Sequence, residues 1–517
     1  MTVGIPNHEV AEPRGAGPRA VFIVVVAAIF MSNLDLFIVN VALPSIGRDF
    51  GGASLAGLSW VLNAYAIVFA ALLVPAGRLG DRTGQRRVFL AGIAIFTLAS
   101  AACAVAPDLA VLVAARVVQA AGAAALIPTS LALLLAATPP DKRPGRVRAW
   151  AAVGGVSAAL GPVAGGLLVQ LDWRWVFLVN LPIGLAALVA GSRVLPHPPA
   201  RDSERLPDLL GVVLLTAGIG GLTGGLVEGP TWGWSSPGVL ALLAGAAAAI
   251  GWFLRRCSYH ERPLVELHLL RIPAFRSASA AVFVFSIGFA AMLLSNVLWC
   301  QTVWHYSALR TGLAIAPGPA MVPALAVGAG PLARRVGSAP VAAAGNLLFA
   351  AGLLWRVFSV SVVPNYAVDM LPSMLLTGMG VGLTLPTLMS ASTTALPAAR
   401  FGTGSALVNM ARQVAAALGV AVLVTIIGIP ATAADAVTAF RHLWLIMAGA
   451  AVLAATAAAF VRRPPSPPPS PLPGDQAVAA APSTAVAESR PHRRLSVRFL
   501  APVRAKNRTD NGPEAGV

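Results

Sequence analysis

The sequence predicts an all-α integral membrane protein with 14 transmembrane helices in a 6+2+6 order and both termini cytoplasmic. Three observations carry that prediction. The 517-residue chain is 57% hydrophobic and only 11% charged, with a mean hydropathy of +0.77, too little polar surface to cover a water-soluble fold of this size. Fourteen segments reach the roughly 20 apolar residues that a crossing of the hydrocarbon core requires. A glycine-bounded basic turn occurs twice, once in each half of the chain.

The segments begin near Ala20, Gly57, Val88, Asp108, Val147, Arg174, Asp208, Ser236, Ser277, Thr311, Ser338, Asp369, Gly404 and Phe440. Gaps as short as Leu171–Trp173 admit only tight turns. Charge orients the set. With the N-terminus inside, 30 of the 37 Lys and Arg fall in cytoplasmic loops and tails. Five (Arg48, Arg174, Arg310, Arg356 and Arg441) fall in outer loops or at outer helix ends, and Arg116 and Arg412 lie within spans. That asymmetry is the positive-inside pattern. It also explains the net charge of +17 without nucleic acid, because the basic residues alternate with apolar spans instead of lining one soluble face. Cys103, Cys257 and Cys300 have no metal-ligand spacing, and no cofactor is expected. The first apolar segment is too long for a signal-peptide core.

The repeated turn organises the halves. Gly77-Arg-Leu-Gly-Asp-Arg-Thr-Gly84 closes the second span, and Gly330-Pro-Leu-Ala-Arg-Arg-Val-Gly337 closes the tenth with the same glycine spacing. Span ten then corresponds to span two if two helices are inserted between six-helix halves. The expected order is a tail (1–19), a six-helix bundle (20–195), an inserted hairpin (208–256), a cytoplasmic linker (257–276), a second bundle (277–462) and a disordered Pro/Arg-rich tail (463–517).

Asp35 is the acidic residue that sits deep within a span, in the stretch from Ala20 to Leu43. A carboxylate at that depth costs about 2.5–3.5 kcal/mol on insertion scales and points to a proton or cation site. Counting about 1.5 Å per residue puts Asp35 and Arg116 at the same depth, ~12 Å below the outer boundary. Opposite charges at one depth suggest a pair. The other reading leaves Arg116 on backbone carbonyls and Asp35 protonated. Desolvation disfavours the charged carboxylate and a nearby guanidinium favours it, so one group can exchange a proton against a second ligand.

The turn from Gly77 to Arg87 places Gly80, Asp81, Arg82, Gly84 and Arg86 where helices reverse tightly and an ionic latch can form with Arg78. This stretch resembles the signature loop of the major facilitator superfamily. Three more segments are similar to motifs of its fourteen-span drug:proton antiporters: Leu34–Pro44, Arg116–Gly122, and Gly161-Pro162-Val-Ala-Gly165-Gly166 followed by Trp173–Pro182. Phe37 stands where that family generally has threonine, and Ala120 where it has glycine. Asn409-Met-Ala-Arg-Gln413 supports the second half more loosely. The resemblance implies the major facilitator fold, proton coupling through Asp35 and Arg116, a cytoplasmic gate at 77–87, and an antiport role for the Gly161–Gly166 motif. Ordinary small-residue packing is the other reading of that last motif.

Span nine carries Phe285, Phe289, Met292, Asn296 and Trp299 on one helical face, which the repeat places toward a central cavity. A packing or lipid-facing stripe accounts for the same pattern. Asn33, Asn63 and Gln119 are further candidate polar contacts, and Arg412 and Gln413 fit a cytoplasmic gate or structural hydrogen bonding better than direct substrate contact. The expectation is a monomeric, bacterial plasma-membrane antiporter, not an enzyme, exchanging protons for lipophilic, cationic or zwitterionic drugs or antibiotics. A metabolite:proton symporter and a non-transporting scaffold are the competing readings.

Overall fold

The computed structural model describes residues 17–197, 208–261, 263–396, 400–428 and 432–461. The expected tails, 463–517 and most of 1–19, lie outside the described residues. Among the described residues 14 helices are long and apolar enough to cross a membrane. The first six are α1 (Pro18–Asp49), α2 (Leu55–Thr83), α3 (Gln85–Ala104), α4 (Leu109–Ala136), α5 (Gly145–Leu171) and α6 (Trp175–Val194). The hairpin is α7 (Leu209–Trp232) and α8 (Pro237–Tyr259). The rest are α9 (Pro273–Val303), α10 (Ala308–Val336), α11 (Ser338–Ser359), α12 (Tyr366–Thr394), α13 (Thr403–Ile427) and α14 (Ala434–Ala459).

Five of the seven span starts on the face opposite the termini are capped by short polar side chains. Ser54, Asp108, Ser236 and Ser307 each accept from the backbone N–H three residues on, at 3.1, 2.8, 3.3 and 3.2 Å. Thr432 and Asp435 form a reciprocal capping box. These caps satisfy donors that a lipid environment would leave unpaired. Proline and special turns break the remaining regularity. A proline ring clashes with the preceding turn, and α10 is interrupted at Ala316, just before Pro317. α9 ends in the π-helical turn Trp299–Val303, and α12 begins with another at Tyr366–Met370.

The two repeated turns share one geometry. Gly84 has φ 105° and Gly337 φ 103°, a region costly for any residue with a Cβ, and each is followed at once by a new helix. The match extends the sequence repeat to backbone conformation.

The hairpin packs on α2 and α13. Thr425 Oγ1 of α13 donates to the Leu226 carbonyl of α7 at 2.7 Å, and Arg256 pairs with Asp208 at 2.8 Å across the hairpin's terminal-side end. The linker is less peripheral than its polarity suggests: Leu264, Val265 and Leu269 are buried in a cluster shared with α9 and α13.

The α5/α10 seam is tight on the face opposite the termini. A methyl added at Gly166 would lie 2.7 Å from the Ala308 carbonyl oxygen, and one at Gly312 would strike the Pro162 carbonyl. Gln301 of α9 also donates to the Val41 carbonyl of α1 at 3.0 Å. Toward the terminal face the seam loosens: Gly155 meets Pro323 only at 3.7 Å, and nothing lies within 4 Å of Gly154 or Gly328.

Candidate functional site

α1, α3, α4 and α6 bring a closed polar cluster together around Asp35. One carboxylate oxygen, Oδ2, accepts from Arg116 Nη1. The other, Oδ1, accepts from Gln119 Nε2 at 2.9 Å and Asn180 Nδ2 at 3.2 Å. Ser100 Oγ accepts from both amides, at 2.7 and 3.3 Å. Arg116 Nε donates to the Val61 carbonyl at 3.1 Å, while its Nη2 is buried without a partner. Asp35, Arg116, Gln119, Asn180 and Ser100 are all fully buried.

The pair expected from depth is therefore a direct contact. The helix itself continues six residues past Leu43, to Asp49. Asn180, Ser100 and Tyr65 were not among the predicted site residues. Asn180 lies inside the quoted Trp173–Pro182 segment, where a lone amide among apolar residues was the available signal.

Tyr65 is the wall between this cluster and a second feature. Its ring lies under the Arg116 guanidinium, 4.1 Å from Cζ to the ring centroid, and stacks on Phe69 at 6.0 Å. The other side of the Tyr65–Phe69 wall faces a narrow cleft, with room for little more than a water molecule. Ser32 and Asn33 of α1 also line it, one helical turn from Asp35, opposite Arg412 and Gln413 of α13. Of the expected cavity residues, Asn33 alone lines the cleft. Gln119 belongs to the Asp35 cluster, and Asn63 is buried against Ser59. Phe289 stacks on the buried Phe285, and Met292 is core. Asn296 accepts from Arg356.

Arg356 lies in the last turn of α11, the helix end where it was placed, and is buried there with the guanidinium 5.2 Å from the Trp444 ring. Arg412 makes no hydrogen bond or ion pair among the described residues, and its Nε is buried without a partner. It does not serve the structural hydrogen bonding that was one of its two expected roles.

The Gly161–Gly166 motif faces two helices at once. Gly161 abuts the Phe37 side chain, so the departure at 37 is seated where α5 has no side chain. Gly165 meets the Ile38 carbonyl at 3.1 Å, and Gly166 meets α10. In the Gly77–Arg87 turn, Gly77 packs on Pro128 and Gly80 on Thr129. Asp81 accepts from Gln85 at 2.7 Å, Arg78 donates to the Pro263 carbonyl at 2.8 Å, and Arg86 reaches the Ser192 carbonyl and His197. Main-chain carbonyls of the linker and of α6 thus take part in fastening the turn.

The family model described as Major Facilitator Superfamily matches residues 25–420. The multidrug resistance protein Stp of Mycobacterium tuberculosis is 36% identical over 400 residues, covering 76% of this chain and 73% of that protein. The tetracenomycin C resistance and export protein of Streptomyces glaucescens is 33% identical over 421 residues, 81% of this chain and 78% of its own length. The cephamycin export protein CmcT of Amycolatopsis lactamdurans is 35% identical over 408 residues, 77% and 83% of the two chains. Among solved structures, an auto-inhibited POT family peptide transporter superposes with a TM-score of 0.62 at 17% identity, over 86% of this chain and 97% of its own. That likeness speaks for the fold.

Proposed function

The chain belongs to the Major Facilitator Superfamily, and from that membership we propose that it is a proton-driven antiporter exporting lipophilic, cationic or zwitterionic, drugs or antibiotics across the bacterial plasma membrane. In this reading it works as a monomer with both termini cytoplasmic and leaves its substrate chemically unchanged. The Asp35 cluster carries the proposal. A buried ion pair contributes little or nothing to stability compared with apolar residues of equal volume, so its use lies elsewhere. The relatives' names, resistance and export proteins, support the direction of transport.

The deprotonated Asp35 neutralises Arg116 and clamps α1 to α4. A proton on Asp35 removes that compensation, and an uncompensated buried charge costs about 3–5 kcal/mol. Relief comes from moving the guanidinium, and with it the Tyr65 ring that walls the cleft. Proton and substrate thereby favour different arrangements of the same side chains. Exchange follows from their differential affinity for the two facing states. The tight α5/α10 seam opposite the termini corresponds to the state that takes substrate from the cytoplasm.

The test uses inverted vesicles that hold an inward pH gradient. Added substrate should release lumenal protons through the wild-type protein and not through Asp35→Asn. Equal release from both proteins would remove Asp35 from the mechanism and refute the proposal.

A further inference from the structure

The cleft between α1, α2 and α13 has one charged side chain, and it is positive. Arg412 presents a guanidinium without hydrogen bond or ion pair among the described residues. The buried Arg116 and Arg356 are both engaged, by Asp35 and by Asn296. Gln413 beside it makes no side-chain hydrogen bond among the described residues either. The carboxylate one turn away, Asp35, is already occupied on both oxygens. A guanidinium at membrane depth that is only partly open to a narrow cleft is costly unless a counter-charge reaches it. None of the described residues supplies one.

We propose that Arg412 is the recognition group for an anionic substituent, so that transported compounds carry a carboxylate or similar acidic group beside an apolar ring system. The rings would lie against the parallel Tyr65–Phe69 wall, whose planes differ by 13°. Guanidinium and carboxylate match in planar, two-bond geometry, and Gln413 adds an amide donor at the rim. The cleft is narrow in this conformation, so a ring-bearing ligand enters by parting α13 from α2. The proposal rests on the exporter reading for the direction of travel, and within its cationic or zwitterionic class it selects the zwitterions, whose acidic group Arg412 would hold.

The experiment measures equilibrium binding of three isosteric probes to the purified full-length protein at neutral pH: naphthoate, naphthamide and naphthylmethylammonium. Naphthoate should bind about tenfold more tightly than the amide, as expected for one charge-assisted contact. Arg412→Gln should erase that preference and Arg412→Lys should keep most of it. Three results would overturn the proposal: equal or tighter binding of the ammonium probe, a naphthoate preference that survives Arg412→Gln, or displacement by chloride with no preference among the ring compounds. The wild-type ranking stands even where a variant fails to fold. No pH gradient is present, so the outcome is independent of whether Asp35 couples protons. Failed proton release with intact naphthoate selectivity would sink the antiporter reading alone.

Discussion

Arg116 and Arg412 belong to neighbouring sites that share Tyr65, and they could hardly be treated more differently. Arg116 has a carboxylate, an amide and a carbonyl around it, and an aromatic ring beneath it. Arg412 has an open cleft and no partner among the described residues. The first arrangement is internally neutral and can be disturbed by a single proton. The second is incomplete and can be completed by a ligand. Tyr65 lies against Arg116 and also lines the cleft that holds Arg412, so a shift of its ring would let the state of one matter to the other.

The comparison predicts opposite responses to removing charge. Asp35→Asn strands Arg116 and should destabilise the protein by about 3–5 kcal/mol, read from thermal unfolding in detergent. Asp35→Asn combined with Arg116→Gln should recover most of that stability while proton coupling stays lost. A double variant as unstable as the single would show that the cluster's amides, not its charges, hold α1 to α4.

The seam gives the next effect. Gly166→Ala pushes a methyl to 2.7 Å from the Ala308 carbonyl oxygen and 2.8 Å from Leu309 Cα, both backbone. Such overpacking costs about 1–3 kcal/mol, and here it should appear as a substrate-independent proton leak into vesicles. An unchanged leak rate would mean that the seam gives way without opening.

Arg412→Gln comes third and carries the contrasting sign. Removing an unpaired, partly buried charge should leave stability unchanged or raise it by about 1 kcal/mol. A loss as large as that of Asp35→Asn would reveal a partner for Arg412 and erase the contrast. The smallest effect belongs to Tyr65. Tyr65→Phe drops a hydroxyl that is buried without a partner and should change stability by less than about 1 kcal/mol. Tyr65→Leu also removes the ring under Arg116, worth about 0.5–2 kcal/mol, and should uncouple substrate binding from pH.

The fold was readable because a bilayer imposes length and hydropathy on every span, and α1 to α14 answer to that constraint individually. The Asp35–Arg116 pair was readable for the same reason: depth along a helix is a one-dimensional quantity. Its companions Asn180, Ser100 and Tyr65 were not, because their convergence depends on how helices rotate against one another. The face carrying Phe285, Phe289, Met292 and Asn296 shows the same limit. Helical periodicity identified a shared face, but a face looks alike in sequence whether it meets a cavity or, as here, the side chains of α11 and α12. The burial of Arg356 was not readable either, since a position near a helix end gives no sign that Trp444 will cover it.

The central claim is that a proton at Asp35 and an anion at Arg412 oppose each other through Tyr65. The most direct measurement is naphthoate affinity at neutral pH in wild type, Asp35→Asn, Tyr65→Leu and the double variant, because coupled sites must affect each other's binding reciprocally. Asp35→Asn carries the neutral side chain that a proton would leave, so it should weaken affinity in the wild-type background and change nothing in the Tyr65→Leu background. Equal affinity in wild type and Asp35→Asn, or the same weakening with and without Tyr65, would contradict it.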